Sequence, residues 1–230
     1  MAAGSERVMS QAATLAARGA VAGDAAARES TRREDPAELG MWIFLAGEVL
    51  FFGALFVAYA VARMHHPAGF AAASARTDVW LGTLNTAVLL SSSLAVAIGA
   101  QAARQLQPRD AAPWLWAAAA LGIVFLAIKG IEYRKEWNEG LFPGADFRID
   151  GREVAGAELF FAWYFLVTAL HALHLGIGIL LCIGFAIASP SAAPPKVDGT
   201  RVHVVALYWH FVDVVWIFLY PLIYLVAPRS

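Results

Sequence analysis

Charge, cysteine and basic clusters are scarce in this 230-residue sequence, and each scarcity removes a class of function. Only 15% of the residues are charged against 60% hydrophobic, with a mean hydropathy of +0.60. Such a composition belongs to an integral membrane protein. A formal net charge of -1 without a basic patch argues against nucleic acid as a partner, and no Lys/Arg cluster borders an apolar run as a polybasic lipid site would. The single Cys182 lies inside an apolar run, so neither an internal disulfide nor a CxxC metal or redox pair is available, and packing is the role left to it. No internal repeat stands out, which weighs against a transporter built from inverted halves. Residues 1–38 lack an apolar h-region and read as a solvated polar tail rather than a secretory signal.

What the sequence has in quantity is long apolar runs. Five of them, near residues 41–62, 80–103, 114–133, 159–187 and 203–226, are each long enough to cross a bilayer. The expected fold is all-α: a polytopic membrane protein whose residues 39–228 form a bundle of five transmembrane helices. An odd number of spans puts the termini on opposite sides. Nine of the Lys and Arg residues outside the spans fall on the side of the N-terminus and seven on the other, which favours a cytoplasmic N-terminus and a periplasmic C-terminus. The connection at 134–157 carries Glu136, Glu139, Asp146, Asp150 and Glu153 and reads as a polar cap on the outer side. The stretch Ser189 to Pro195 reads as a stiff proline-rich link on the inner side.

The first run holds one carboxylate, Glu48, in 22 otherwise apolar or small residues. At that position it lies ~10 Å below one membrane surface by the helical rise. An ionised acid at that depth costs several kcal/mol unless it is paired, hydrated or protonated, so it is expected to face the bundle interior. The second run carries Asn85, Thr86 and the triplet Ser91, Ser92 and Ser93, which read as small polar glue between helices. The third ends in Lys129-Gly-Ile-Glu132, which reads as a snorkelling interfacial end with a local ion pair. In the fourth, Thr168, His171, His174 and Gly178 line one face. In the fifth, His210 and Asp213 share a face and Trp209, Asp213, Trp216 and Tyr220 form an aromatic stripe around the acid.

Glu48, His171, His174, His210 and Asp213 fall at similar depths, and three readings of that layer stand side by side. His171, His174 and His210 suggest a haem- or metal-binding membrane cytochrome, since imidazole is the commonest such ligand. Two histidines three apart on one helix cannot, however, be opposite axial ligands of one haem. Glu48, Asp213 and the histidines also suggest a proton or ion path, as in an autonomous transporter. The third reading is that these groups, with Trp209, Asn85 and Ser92, knit the bundle while the functional partner lies elsewhere.

Five motifs in order then give the chain a resemblance. They are Trp42-Ile-Phe-Leu-Ala-Gly-Glu48-Val-Leu-Phe-Phe52, Leu84-Asn-Thr-Ala-Val-Leu-Leu-Ser-Ser92, Lys129-Gly-Ile-Glu-Tyr133, the run from Phe160 through Thr168 and His171 to His174, and Tyr208-Trp-His-Phe-Val-Asp-Val-Val-Trp216. Over residues 38–228 the chain resembles subunit III of the haem-copper respiratory oxidases. The resemblance implies an accessory subunit with no redox cofactor or metal of its own, in a bacterial inner membrane. Haem and copper would sit in partner subunits I and II, and phospholipid in the bundle groove. It further implies that Glu48 is the buried acid that supports proton uptake into the catalytic subunit, and that His171, His174, His210, Trp209 and Asp213 knit the last two helices. Larger members have two helices before the one bearing the acid, where this chain has a polar tail. The pair Gly47-Glu48 is similar to the five-helix branch associated with nitric oxide reductase.

Overall fold

The computed structural model describes residues 36–105, 108–144, 147–149, 154–188 and 199–226. The polar tail up to residue 35, the acids Asp146, Asp150 and Glu153, and the proline-rich link at 189–195 lie outside the described residues. All regular structure among the described residues is helical: α1 (Pro36–His65), α2 (Pro67–Ser74), α3 (Val79–Gln105), a 3-10 turn (Pro108–Ala111), α4 (Ala112–Asn138), α5 (Val154–Ala188) and α6 (Gly199–Tyr224). In hydrocarbon every backbone N–H and C=O must be satisfied within its own segment, which is why long apolar runs become helices. Five helices are long and apolar enough to span a membrane: α1, α3, α4, α5 and α6, over stretches of 30, 26, 27, 35 and 24 residues. Even the shortest reaches ~36 Å at the α-helical rise, beyond a hydrocarbon core of about 30 Å.

Helices α3, α4, α5 and α6 form a closed ring in which α3 packs on α4 and α6, and α5 packs on α4 and α6. Large side chains fill the ring. Trp209, Trp216, Tyr164, Phe125, Phe160 and Phe161 are all buried. Close approach depends on glycine where these rings lie. A Cβ on Gly82 would fall 2.8 Å from the Tyr224 ring, and one on Gly122 would fall 2.9 Å from Ile179.

The sequence reading does not anticipate α2, whose eight residues are too few to show a period. Pro67 begins it at a position where a missing N–H costs nothing. It packs on the start of α5, where a Cβ on Gly69 would come within 2.8 Å of the Gly156 backbone. The ends of the long helices also differ from the apolar runs. Helix α4 continues past residue 133 to Asn138, which carries Glu136 into the helix and the bundle interior.

Helix α1 stands outside the ring. Only 11% of its most apolar window is buried. Its inward side chains are few: Leu45, Phe52 and Tyr59 are buried, while Ile43, Val49, Leu50 and Val57 are exposed.

Candidate functional site

Glu48 projects from α1 toward α5, where its Oε2 lies 3.2 Å from His174 Nε2. The other ring nitrogen, Nδ1, is 2.8 Å from the Leu170 carbonyl of its own helix. A carbonyl only accepts, so Nδ1 carries a hydrogen. The contact between Nε2 and Oε2 then requires one further proton, on the carboxyl or on the ring. The two side chains together therefore hold one transferable proton, as a neutral acid beside a neutral imidazole or as an ion pair. The side chains of His174 and Glu48 are 13% and 20% exposed, so the pair lies at the bundle's edge and remains open to what covers α1. The Phe52 ring meets His174 edge-on at 5.3 Å.

A second set of polar contacts joins α3 to α6. Thr83 Oγ1 and Tyr220 OH are 2.8 Å apart, Trp216 Nε1 donates to Thr86 Oγ1 at 3.0 Å, Trp209 Nε1 donates to Ser92 Oγ at 3.2 Å, and Ser93 Oγ lies 2.8 Å from His210 Nδ1. From Thr83 through Thr86 to Ser92 the partners on α6 step back from Tyr220 through Trp216 to Trp209, an antiparallel zipper, and Ser93 with His210 adds a contact at its end. Of the small polar residues expected to act as glue, Thr86, Ser92 and Ser93 reach α6, whereas Ser91 bonds the Ala87 carbonyl of its own helix. Thr83 with Tyr220 is the missed member. Thr83 stands three residues before Thr86, and Tyr220 four after Trp216, so the helical repeat was the available signal.

Three side chains expected in an interhelical polar network make no hydrogen bond among the described residues. His171 is buried between the Phe125 ring at 5.6 Å and the Trp216 ring at 5.1 Å, with both nitrogens unpartnered. Asn85 is buried with neither end of its amide bonded. Asp213 is buried with its nearer oxygen 3.9 Å from His210 Nδ1, too far for a hydrogen bond. His171, His174 and His210 therefore face three different surroundings and share no centre. Among the described residues no group of three His, Cys, Asp or Glu side chains is placed to hold a metal ion.

Lys129 and Glu132 correct the sequence reading. Their ion pair is present at 3.0 Å, but Lys129 is 4% exposed and Glu132 1%, so neither snorkels to the bundle surface. Lys129 Nζ also donates to Tyr164 OH at 2.9 Å and to Tyr224 OH at 2.8 Å, and Tyr224 OH donates to Glu132 Oε1 at 2.6 Å. The ammonium lies 4.6 Å from the centre of the Tyr164 ring. Tyrosines from α5 and α6 supply here what water supplies at a surface. Nearby, Tyr133 and Thr168 share a hydrogen bond that ties α4 to α5.

A lone acid and imidazole beside four apolar helices fit several kinds of membrane protein. The comparison that decides among them is the match of residues 23–227 to the family model described as cytochrome c oxidase subunit III. The chain belongs to that family. Similar relatives are cytochrome c oxidase subunit 3 of Thermostichus vulcanus, 34% identical over 82% of this chain and 87% of that protein, and cytochrome c oxidase subunit 3 of Synechocystis sp., 32% identical over 81% and 74%. A probable quinol oxidase subunit 3 of Staphylococcus epidermidis is 28% identical over 83% of this chain and 89% of its own length. As a subunit III the chain is a multi-pass membrane component of a respiratory haem-copper oxidase of the cytochrome c or quinol type, and catalytic subunits of that complex are its partners. Within this subunit III, the Glu48–His174 pair is a carboxyl–imidazole contact at the bundle's edge. The Lys129 cluster is sealed inside.

Proposed function

We propose that this subunit III stabilises the catalytic subunit of an oxygen-reducing oxidase and sustains proton uptake into it, with Glu48 as the ionisable group and His174 as its proton partner. The observation that carries this is the 3.2 Å contact between Glu48 and His174, in which geometry requires one shared proton. A proton that can reside on either side chain moves without leaving an isolated charge in the membrane, whose cost would otherwise be several kcal/mol. Haem and copper belong to the partner subunits I and II, where oxygen is reduced to water with proton translocation. The relatives named above are oxidase subunits and lend no support to the nitric oxide reductase branch that Gly47 suggests. The complex sits in a bacterial inner membrane, with the N-terminus of this chain cytoplasmic and its C-terminus periplasmic.

Bound phospholipid belongs to the same reading. Between α1 and α6 lies a cavity of about 620 Å3 lined by Phe56, Tyr59, Met64, Phe218 and Leu222, with Arg63 as its one charged side chain. Apolar walls with a single cation at the rim suit an acyl chain under an anionic headgroup.

The test is turnover durability of the purified complex. Glu48→Gln and Glu48→Ala complexes are expected to assemble and begin turnover but to lose activity over repeated cycles sooner than wild type. Unchanged activity and lifetime in both variants would remove Glu48 from the function.

A further inference from the structure

His210 is out of place on the surface it occupies. It is the twelfth residue of α6, ~17 Å along the helix from its start, and so far from either end. Yet 41% of its side chain is exposed. Along the same strip of α6, Val214 and Ile217 are exposed apolar residues, and across the seam with α3 so are Leu90 and Leu94. The imidazole is the polar group at the centre of this patch.

Its orientation is set from within. Ser93 Oγ lies 2.8 Å from Nδ1, and the Asp213 carboxylate lies 3.9 Å from the same nitrogen. Both inner partners address Nδ1, so the arrangement is no Ser-His-Asp relay, in which the two nitrogens would be engaged from opposite sides. Nε2 is left across the ring, with no hydrogen-bond partner among the described residues. Whichever tautomer is present, Nε2 is a full donor or a full acceptor.

Hydrocarbon offers such a group nothing, and at ~10 Å or more from either surface by the helical rise, lipid headgroups and water are out of its reach. Polar side chains at that depth face protein or a water-filled space. We infer that the α3/α6 face centred on His210 is the surface on which the catalytic subunit docks, through a transmembrane segment that carries a hydrogen-bonding group at mid-depth opposite Nε2. This rests on the reading of the chain as a subunit of an oxidase and adds which face is covered. Leu90, Leu94, Val214 and Ile217 supply the apolar contact around the one polar bond, the pattern of an apolar patch with a specific anchor.

Site-specific photo-crosslinking in the native membrane tests it. A benzophenone amino acid is placed singly at Leu94 or Val214, and as a control at Leu180, which is 70% exposed on α5. Cross-links from Leu94 and Val214 to the catalytic subunit, without one from Leu180, are expected. A second readout is His210→Phe, which keeps an aromatic ring and removes Nε2. It is expected to lower the ratio of this chain to the catalytic subunit several-fold after mild detergent purification, whereas Leu180→Ala leaves the ratio unchanged. Cross-links to the catalytic subunit from Leu180 alone, or to lipid alone from Leu94 and Val214, overturn the assignment of the face while the chain's membership of the complex stands. Failure of the wild-type chain to copurify with any haem-bearing partner overturns both.

Discussion

At the scale of single residues, the buried Lys129 shows how the same sequence feature changes meaning with its neighbours. A Lys and a Glu three apart near a helix end usually reach outward, and their pairing is then worth a few tenths of a kcal/mol. Here all three hydrogens of the ammonium are used, by Glu132, Tyr164 and Tyr224, and the pair is enclosed. Removing one partner of a buried pair leaves the other as an unpaired charge, at a cost of roughly 3–5 kcal/mol, whereas replacing both with neutral groups is often tolerated. Lys129→Met is therefore expected to destabilise the subunit by about that amount, and Lys129→Met with Glu132→Gln to recover most of the loss. Unfolding free energies of the purified protein in mild detergent give the comparison, and equal losses in the single and double variants would contradict it. His171 is the opposite case. An imidazole held only by aromatic rings serves as a flat packing element, and nothing in its own sequence neighbourhood distinguishes it from His174, three residues on.

At the scale of elements, Asp78 joins two helices at the end of the bundle where α3 begins and α4 finishes. Its Oδ1 accepts from the amides of Trp80 at 3.1 Å and Leu81 at 3.3 Å, capping α3, while its Oδ2 accepts from Lys135 Nζ at 3.0 Å. Burial alone raises the carboxyl's pKa. The hydrogen bonds from Lys135, Leu81 and Trp80 and the charge of Lys135 together outweigh burial, and the folded pKa lies below the usual Asp value. A carboxylate whose folded pKa is depressed contributes stability that is complete above the unfolded pKa and disappears as pH falls through the folded one. Asn caps a helix about as well as Asp, so Asp78→Asn isolates the charge. Wild type should exceed Asp78→Asn by no more than ~1 kcal/mol at neutral pH, because the pair is partly exposed and screened. The difference should begin to close as pH drops below about 4, and should shrink in high salt. Unfolding midpoints across pH measure this, and a difference that widens on acidification would reverse the assignment.

At the scale of the whole molecule, α1 is an outrigger on a four-helix ring. Besides Glu48, two long-range hydrogen bonds help hold it: Trp163 Nε1 donates to the Leu55 carbonyl at 3.1 Å, and Tyr59 OH donates to the Leu222 carbonyl at 2.6 Å. Around them the Tyr59 ring lies tilted 4.4 Å from Trp163 and edge-on 5.2 Å from Phe70, so α2 also braces the joint. Each such hydrogen bond is worth ~1 kcal/mol net. Tyr59→Phe together with Trp163→Phe should loosen α1 by about 2 kcal/mol while the ring stays intact. Hydrogen exchange should then rise along α1 and remain unchanged in α3 to α6, and an equal rise in all five helices would show that α1 is integral to the ring. An acid carried on a helix that packs outside the ring is well placed to respond to whatever subunit covers it.

The five spans were written in the sequence by itself, because a membrane imposes one rule on every backbone segment, and a lone carboxylate in an apolar run singled out Glu48. The pairing of Glu48 with His174, 126 residues away, was legible only as a shared depth. Which imidazole faces the acid depends on the rotation of α5 within the ring. Packing likewise decided that Lys129 is enclosed rather than interfacial, since the tyrosines that receive it arrive from α5 and α6, 35 and 95 residues further on. The same holds for Asn85, His171 and Asp213, whose periodicity marks a common polar layer but whose side chains find no hydrogen-bond partner among the described residues. Helical spacing assigns a side chain to a face. Only the tertiary structure decides what that face meets, because burial energy depends on partners that are remote along the chain.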